Sequence, residues 1–230
     1  MFRIKICGIT NPNDALMVAD SHADAIGLNF YPESPRYVSP EKGNEIVSAL
    51  QTARPDKRLD LVGVVVNPTE KTLHKYLERI PLDYLQFHGD ETAQQIASLQ
   101  PLLKRYRCKH IKAFRIPNGD TTKISSYLLL SKELTSYSDA ILVDAFDENN
   151  YGGTGRRVDW ESLDNAEKRT DWPPLILAGG LTAENITEAI TTVTPAAVDT
   201  ASGVEKNATS KDQNLVLSFS KRAAQAFRRQ

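Results

Sequence analysis

Cysteine is scarce in this chain of 230 residues, which contains only Cys7 and Cys108. Their spacing fits neither a disulfide framework nor a metal cluster. Unpaired cysteines are typical of a reducing compartment, and the sequence shows no signal peptide. We therefore expect a cytoplasmic protein in which each cysteine acts alone.

An excess of charge of one sign and a long apolar run are also missing. The formal net charge of -1 argues against a nucleic-acid-binding protein. One basic run, residues 104–109, precedes a predicted strand and is interpreted as a solvated face. No apolar run is long enough to span a bilayer. We therefore expect neither nucleic acid nor membrane as a partner.

The chain does contain a regular alternation of short apolar runs and longer amphipathic segments. Some runs, such as residues 61–66, are almost continuously apolar, as expected of parallel strands that are covered on both faces. The predicted strands are 3–7, 24–30, 60–66, 84–87, 110–114, 140–144, 175–178 and 197–200. The predicted helices are 12–20, 41–52, 69–79, 91–99, 121–137, 160–168, 183–192 and 210–227.

Three predicted helix starts share one device, a capping side chain followed by proline: Asn11-Pro12, Ser39-Pro40 and Asn67-Pro68. Asn67 with Glu70 also resembles a capping box. Eight strand–helix units in this length predict an α/β fold, a single-domain (β/α)8 TIM barrel spanning residues 1–230. A doubly wound open sheet is the alternative, although it rarely contains eight regular units.

In such a barrel, the carboxyl ends of the strands meet at one pocket. The sequence places several reactive or anion-binding residues there: Cys7, Asn29, Arg36, His88, Arg115, Asp144, Gly179, Gly180, Ser202 and Gly203. Asn185, Asp199 and Glu205 are interpreted as structural residues, and Cys108 as an inert thiol at the opposite end. No set of residues indicates a metal site or an organic cofactor.

Each candidate also has a simpler interpretation. Cys7 is either a small buried residue or a functional thiol. Asp144 is either a general acid whose pKa is raised by a closed pocket or a residue that caps a loop. Arg36 either grips a carboxylate or pairs with Glu33 at the surface. His88 either contacts the substrate or supports Cys7 and the loops.

The last two loops suggest an anion site. Gly179-Gly180 and Ser202-Gly203 follow the seventh and eighth strands, where barrels frequently bind phosphate through backbone N–H groups. A plain turn would also account for the glycine pair. The glycine-rich segment 151–155, which ends in Gly155, is either a lid over the pocket or an extended connection.

Six motifs stand at the predicted strand ends, and they cover the chain from end to end. They are Lys5-Ile6-Cys7-Gly8-Ile9-Thr10, Ser34-Pro35-Arg36-Tyr37, Gln86-Phe87-His88-Gly89, Tyr151-Gly152-Gly153-Thr154-Gly155, Ala178-Gly179-Gly180-Leu181 and Ser202-Gly203-Val204-Glu205. Together they resemble the phosphoribosylanthranilate isomerase family. The departures are small, such as Thr200-Ala201 where the family often has serine, and Ala145 where threonine is common.

The resemblance implies an Amadori rearrangement without a cofactor, the third pathway step from chorismate to L-tryptophan. N-(5-phosphoribosyl)anthranilate would become 1-(2-carboxyphenylamino)-1-deoxyribulose 5-phosphate. It further implies that Asp144 is the general acid, that Cys7 as thiolate is the general base, and that Arg36 holds the anthranilate carboxylate. The remaining substrate contacts would come from His88, Gly155, Gly179, Gly180, Ser202 and Gly203. The helix N-termini around the pocket are expected to favour the thiolate.

Other barrel functions fit the sequence less well. A ribulose-phosphate epimerase would need a set of metal-binding histidines, and an indole-glycerol-phosphate synthase would need a catalytic lysine and glutamate at strand ends. A barrel that only binds a phosphorylated ligand would need neither Cys7 nor Asp144. Activity on the histidine-pathway aminoaldose stays open. The phosphosugar is the one partner that we expect, bound by a monomer or a homodimer.

Overall fold

The computed structural model describes residues 1–116, 120–145, 160–163 and 171–230. Eight parallel strands pair in chain order, and the last pairs with the first to close a barrel. This closure confirms the (β/α)8 fold and excludes the open sheet. The strands are β1 (Ile4–Cys7), β2 (Ala25–Asn29), β3 (Asp60–Val65), β4 (Tyr84–Phe87), β5 (Lys109–Ile116), β6 (Ala140–Ala145), β7 (Leu175–Leu177) and β8 (Ala197–Thr200).

A helix follows each strand of the barrel. Two of the three predicted starts are confirmed, since Asn11 and Ser39 cap helices that begin with proline and accept hydrogen bonds from backbone N–H groups of the first turn. The helices are α1 (Pro12–Ala19), α2 (Pro40–Ala53), α3 (Glu70–Leu77), α4 (Ala93–Arg105), α5 (Thr122–Glu133), α6 (Trp160–Leu163), α7 (Ile186–Val193) and α8 (Gln213–Phe227).

The third predicted start, Asn67-Pro68, is wrong. Helix α3 is capped by Thr69 and begins at Glu70. Asn67 instead has a left-handed backbone, with φ of 45°, and its side-chain oxygen accepts a hydrogen bond from the backbone of Asp90. The amide of Asn67 therefore joins the loops after β3 and β4, a long-range use of a capping residue that a local pattern cannot show.

Other helix boundaries also differ from the predictions, among them the end of α5, which lies at Glu133 rather than at residue 137. Helix α4 runs on through Pro101 because its buried face, which includes Leu99 and Leu102, continues past the proline. Residues 210–212, predicted as the start of the last helix, belong instead to a hairpin of β9 (Glu205–Asn207) and β10 (Ser210–Lys211) and its connection to α8. Of the predicted sixth helix, the part beyond residue 163 lies outside the described residues.

The barrel encloses its own core, separate from the layer between strands and helices. This inner core consists of Phe2, Ala25, Val62, Tyr84, Ile111, Ala113, Ala140, Leu142, Ile176, Ala178 and Ala197. Side chains alternate along a strand, so the residues two places after Tyr84, Leu142 and Ala197 also face the interior, closer to the carboxyl ends. The interior thereby changes from apolar to polar toward the mouth.

We expect the substitution Thr92→Ala to lower the free energy of unfolding by about 1 kcal/mol, because Thr92 and Gln95 form a reciprocal capping box at the start of α4. Urea denaturation measures the change. Ser98→Ala is the matched control, since the Ser98 hydroxyl only donates to a carbonyl within the same helix. Equal losses in the two variants would contradict the capping role.

Candidate active site

Cys7 lies at the mouth of the barrel, at the end of β1, where it is partly accessible to solvent. Its register partner on β2 is Gly27. A Cβ atom on Gly27 would lie 2.6 Å from the Cys7 sulfur and 3.1 Å from Cε of Lys5. Glycine at this position therefore makes the space in which the thiol and the lysine lie together.

Lys5 lies one layer deeper than Cys7 and is completely buried. Its ammonium donates to Oδ2 of Asp199 at 2.7 Å and to Oε1 of Gln86 at 3.0 Å. Burial alone would lower the pKa of Lys5, but the negative charge of Asp199 and the interaction with Cys7 raise it above its ordinary value. Lys5 is therefore a fixed positive charge beneath the thiol.

The ionisation of Cys7 differs from the expectation that helix N-termini favour the thiolate. Burial raises the pKa of the Cys7 thiol, and Asp199 adds to the increase. The positive charges of Lys5 and Lys211 lower it, but they do not offset burial. The free protein at neutral pH therefore holds Cys7 mainly as the thiol, because the enclosing residues remove more hydration than the two cations replace.

Asp144 is buried on β6, on the other side of the mouth, beside its register partner Arg115. Its Oδ2 lies 3.4 Å from Nε2 of His88. Nδ1 of His88 lies 2.7 Å from Nε2 of Gln86. His88 thus stands next to Asp144, and its Nε2 makes no hydrogen bond among the described residues, so both support and substrate contact by His88 stay predictions.

Arg36 extends from the loop after β2 across Gly8, where an added Cβ atom would lie 2.5 Å from Cδ of Arg36. Its Nε and Nη2 atoms donate to the two carboxylate oxygens of Glu205, both at 2.7 Å. The alternative pairing with Glu33 is wrong, since Glu33 accepts a hydrogen bond from the Tyr31 hydroxyl instead. Glu205 orients Arg36 in the mouth.

Lys211 completes this charged group. Its ammonium donates to Oε1 of Glu205 at 2.7 Å and to the carbonyl of Ala201 at 3.2 Å. Burial alone would raise the pKa of Glu205, but Arg36 and Lys211 outweigh it and hold that pKa below its ordinary value. One carboxylate thus lies between two cations, and the group keeps a net positive charge beside Cys7.

The loops after β7 and β8 meet, as the glycine pattern predicts. Gly179 and Gly180 have φ angles of 85° and 63°, which favour glycine. A Cβ atom on Gly203 would lie 1.9 Å from the carbonyl oxygen of Leu181. The Thr200 hydroxyl donates to the same oxygen at 2.8 Å. Close backbone contact therefore requires glycine in both loops.

Ser202 is the remaining candidate for the predicted phosphate site in the second loop. Ser202 begins a short 3₁₀ turn, Ser202–Val204, directly after β8 and is partly exposed at the mouth. Asn185 shapes the other loop by donating to the carbonyl of Gly180. Gly155 and the rest of the segment 146–159 lie outside the described residues.

Sequence reasoning missed Lys5, Gln86, Glu205 and Lys211 as functional residues. A signal existed for the first two, because each is a polar residue in an apolar strand, two places before a strand-end candidate. That spacing puts Lys5 on the same face as Cys7 and Gln86 on the same face as His88. Lys211 offers no such signal, since only the hairpin brings it to the mouth.

The described residues contain no group of three or more His, Cys, Asp or Glu side chains arranged to hold a metal ion. In the same part of the chain, no helix is long and apolar enough to cross a membrane.

Comparison with known proteins identifies the family. The family model described as "N-(5'phosphoribosyl)anthranilate (PRA) isomerase" matches residues 4–222. The N-(5'-phosphoribosyl)anthranilate isomerase of Pseudomonas syringae pv. tomato is 40% identical over 220 residues, which cover 94% of this chain and 95% of that protein.

Solved structures agree with this result. The phosphoribosyl anthranilate isomerase of Thermotoga maritima superposes with a TM-score of 0.80 at 32% identity, covering 98% of this chain and 100% of the other. Monomers generated from the dimeric form of the T. maritima isomerase superpose with a TM-score of 0.76 at 32% identity and the same coverage.

A further phosphoribosyl anthranilate isomerase was solved in complex with reduced 1-(o-carboxyphenylamino)-1-deoxyribulose 5-phosphate. It superposes with a TM-score of 0.77 at 33% identity, covering 98% of this chain and 100% of the other. With a matching family model over nearly the whole chain and relatives at this level of identity, the chain belongs to the N-(5'-phosphoribosyl)anthranilate isomerase family.

Proposed function

We propose that this chain catalyses the Amadori rearrangement of N-(5'-phosphoribosyl)anthranilate in tryptophan biosynthesis, with Asp144 as general acid and Cys7 as general base. The observation that carries the assignment of roles is their placement, since both side chains face the mouth of the same barrel from opposite sides. Each also has its own buried polar support, Lys5 beneath Cys7 and His88 beside Asp144.

The reaction consists of two proton transfers at the substrate. Asp144 gives its proton to the ribose ring oxygen, the bond from that oxygen to C1' breaks, and a protonated Schiff base forms. Cys7 as thiolate then removes the proton from C2', and the electron pair moves into the C1'–C2' bond and neutralises the iminium nitrogen. The enolamine tautomerises to the ketone. Electrons move only within the substrate, so this step needs no external oxidant.

The charge that develops on the substrate offsets the cost of ionising Cys7. Burial disfavours the thiolate in the free protein, but the iminium cation brings a positive charge close to the sulfur. The thiolate is thus stabilised after Asp144 has given up its proton, at the step where the base is needed, and the thiol proton is released to solvent. Lys5 and Lys211 contribute permanent positive charge to the same state.

Arg36 binds the anthranilate carboxylate in this proposal. Glu205 occupies the Nε–Nη2 edge of the guanidinium, so in this proposal the Nη1 donors bind the anthranilate carboxylate. A guanidinium held by one carboxylate loses little further side-chain entropy when it binds a second. The net positive charge of Arg36, Glu205 and Lys211 favours an anion at this place.

The phosphate is bound by the loops after β7 and β8 through Gly179, Gly180, Ser202 and Gly203. The left-handed glycines bring backbone close to a ligand without an intervening side chain. We also propose that Gly155 and His88 contact the substrate. The whole chain, residues 1–230, is proposed as one catalytic domain of a cytoplasmic enzyme that acts as a monomer or homodimer.

We expect Cys7→Ala and Asp144→Ala each to lower kcat by about two to four orders of magnitude, because each removes a proton-transfer group. The assay follows isomerisation of phosphoribosylanthranilate by purified protein. Cys108→Ala is the matched control, since Cys108 is buried at the opposite end of the barrel. A folded wild-type protein without turnover contradicts the function, and near-normal kcat in either variant removes that residue from its role.

We expect Arg36→Ala to raise KM about tenfold or more, because hydrogen bonds to charged groups contribute about 1.5–3 kcal/mol. Glu205→Gln should raise KM less, since the guanidinium stays but loses its rigid partner. Steady-state kinetics measure both. Arg54→Ala is the matched control, because Arg54 makes the same two-bond contact with Asp20 at the protein surface. An unchanged KM in Arg36→Ala contradicts the carboxylate contact.

We expect alkylation of Cys7 by iodoacetamide to accelerate steadily with pH and to reach no plateau at about pH 8.5, the ordinary pKa of a thiol. The sign follows from burial, which raises the pKa of Cys7 and so moves thiolate formation to higher pH. Mass spectrometry separates the two cysteines, and burial raises the pKa of Cys108 to about 12. A plateau near neutral pH would falsify the burial argument.

A further inference from the structure

A row of polar side chains, the first three of them hydrogen-bonded in turn, crosses the interior of the barrel beneath the mouth. It begins at Lys5, which donates to Oε1 of Gln86 at 3.0 Å. It continues from Nε2 of Gln86 to Nδ1 of His88 at 2.7 Å, and Nε2 of His88 faces Oδ2 of Asp144 at 3.4 Å. One end of the row lies under the proposed base, and the other end faces the proposed acid.

The donor and acceptor roles in this row follow from its first member. An ammonium can only donate, so the oxygen of the Gln86 amide must face Lys5 and its NH₂ group must face His88. Nδ1 of His88 then accepts, and a neutral His88 carries its proton on Nε2. That N–H makes no hydrogen bond among the described residues, and Oδ2 of Asp144 lies 3.4 Å away, so the carboxylate that remains after proton donation is the partner that it lacks.

Lys5 also acts directly on Cys7. Both side chains pack against Gly27. A Cβ atom on Gly27 would lie 3.1 Å from the lysine Cε and 2.6 Å from the Cys7 sulfur. The positive charge of Lys5 favours the thiolate, and this charge is held in place by Asp199 on the neighbouring strand. A buried cation at this distance is hardly screened by solvent.

We propose that Lys5 is a positioning residue for both proton transfers: its ammonium stabilises the Cys7 thiolate and, through Gln86, sets the His88 tautomer that supports Asp144. The proposal rests on the proposed function, and it adds a residue that acts through Cys7 on one side and through Gln86 and His88 on the other. Lys5 keeps its proton throughout, so no proton passes along the row.

Stability alone gives a poor account of this lysine. Buried ion pairs are often no more stabilising than apolar residues of similar volume, because both charges lose their hydration. The layer below Lys5 in the barrel consists of apolar side chains such as Ala25 and Ile176. The fold could therefore fill this place without charge, whereas the chemistry at Cys7 and Asp144 needs one.

The other charged groups that face Cys7 are accounted for. Asp199 and Lys5 approach from β8 and β1, Lys211 from β10, and Arg36 from the loop after β2. Arg36 and Lys211 are both paired with Glu205, which reduces their effect on the thiol. Lys5 is also paired, with Asp199, but its ammonium interacts with the Cys7 sulfur by a hydrogen bond as well as by charge.

Two substitutions of Lys5 test its effect on Cys7. In a Cys108→Ala background, Lys5→Met should slow alkylation of Cys7 by iodoacetamide about tenfold at fixed pH, which corresponds to one pKa unit. Lys5→Arg should stay within about twofold of the wild type, because the positive charge beside Cys7 is kept. A purely structural role for Lys5 predicts equal rates in the two variants.

Lys112→Met is the matched control for loss of a buried lysine. Lys112 forms a buried ion pair with Glu91 at 2.8 Å, but it lies on β5 away from Cys7. Its loss should leave the alkylation profile of Cys7 within about twofold of the wild type, a change well below one pKa unit. If Lys5→Met does not fold, Lys5→Gln takes its place, because it removes the charge but keeps a polar side chain beside Asp199; slowed alkylation supports the proposal and a wild-type rate overturns it.

The effect of Lys5 on the His88 tautomer, through Gln86, is tested by NMR. Nitrogen-15 chemical shifts of His88, assigned by loss of its signals in His88→Gln, should show Nε2 protonated in the wild type. In Gln86→Met the two tautomers should mix, while alkylation of Cys7 stays within about twofold of the wild type. A wild-type His88 with its proton on Nδ1, or an unchanged tautomer in Gln86→Met, contradicts the claim that Lys5 sets the His88 tautomer through Gln86.

Neither readout requires turnover, so the outcomes can be separated from those of the proposed function. A wild type that fails to isomerise phosphoribosylanthranilate contradicts the function. A wild type that isomerises it, with Lys5→Met alkylated within about twofold of the wild-type rate, contradicts the role of Lys5 alone.

Discussion

The ion pair between Lys5 and Asp199 stands at the seam where the barrel closes. The two residues are register partners on the first and last strands, and their charged atoms lie 2.7 Å apart in the buried interior. Both charges have lost most of their hydration, so every remaining donor must find a polar partner. Gln86 accepts one hydrogen bond from Lys5, and the positive charge of Lys5 acts on Cys7. The requirements of one buried pair thus organise the polar layer of the site.

Among these charged groups around Cys7, positive charge exceeds negative charge. Arg36 and Lys211 share Glu205, and Lys5 shares Asp199, so two carboxylates oppose three cations. The surplus suits a substrate that brings a carboxylate and a phosphate. It also suits a thiol whose burial makes ionisation costly, because the cations reduce that cost without removing it. Binding and proton transfer therefore draw on the same electrostatic arrangement.

Most of the fold could be predicted from the sequence, because strand and helix patterns in a (β/α)8 barrel are local. The caps at Asn11 and Ser39 and the glycine loops after β7 and β8 are of this kind. The exceptions are long-range. Asn67 was predicted as a cap and instead joins two loops, and Arg36 pairs with Glu205, 169 residues away. The raised pKa of Cys7 depends on enclosure from several strands, which no short motif records.

The hairpin of β9 and β10 lies outside the repeating strand–helix pattern of the barrel. It is an excursion of the chain between the last strand and the last helix, and it is fastened to the start of α1 by Thr10 and Asp14. It supplies both Glu205 and Lys211, whereas the proposed proton-transfer groups Cys7 and Asp144 lie on barrel strands. The groups that orient Arg36 thus belong to a different part of the chain, and the hairpin can change in sequence while the strands that carry Cys7 and Asp144 stay intact.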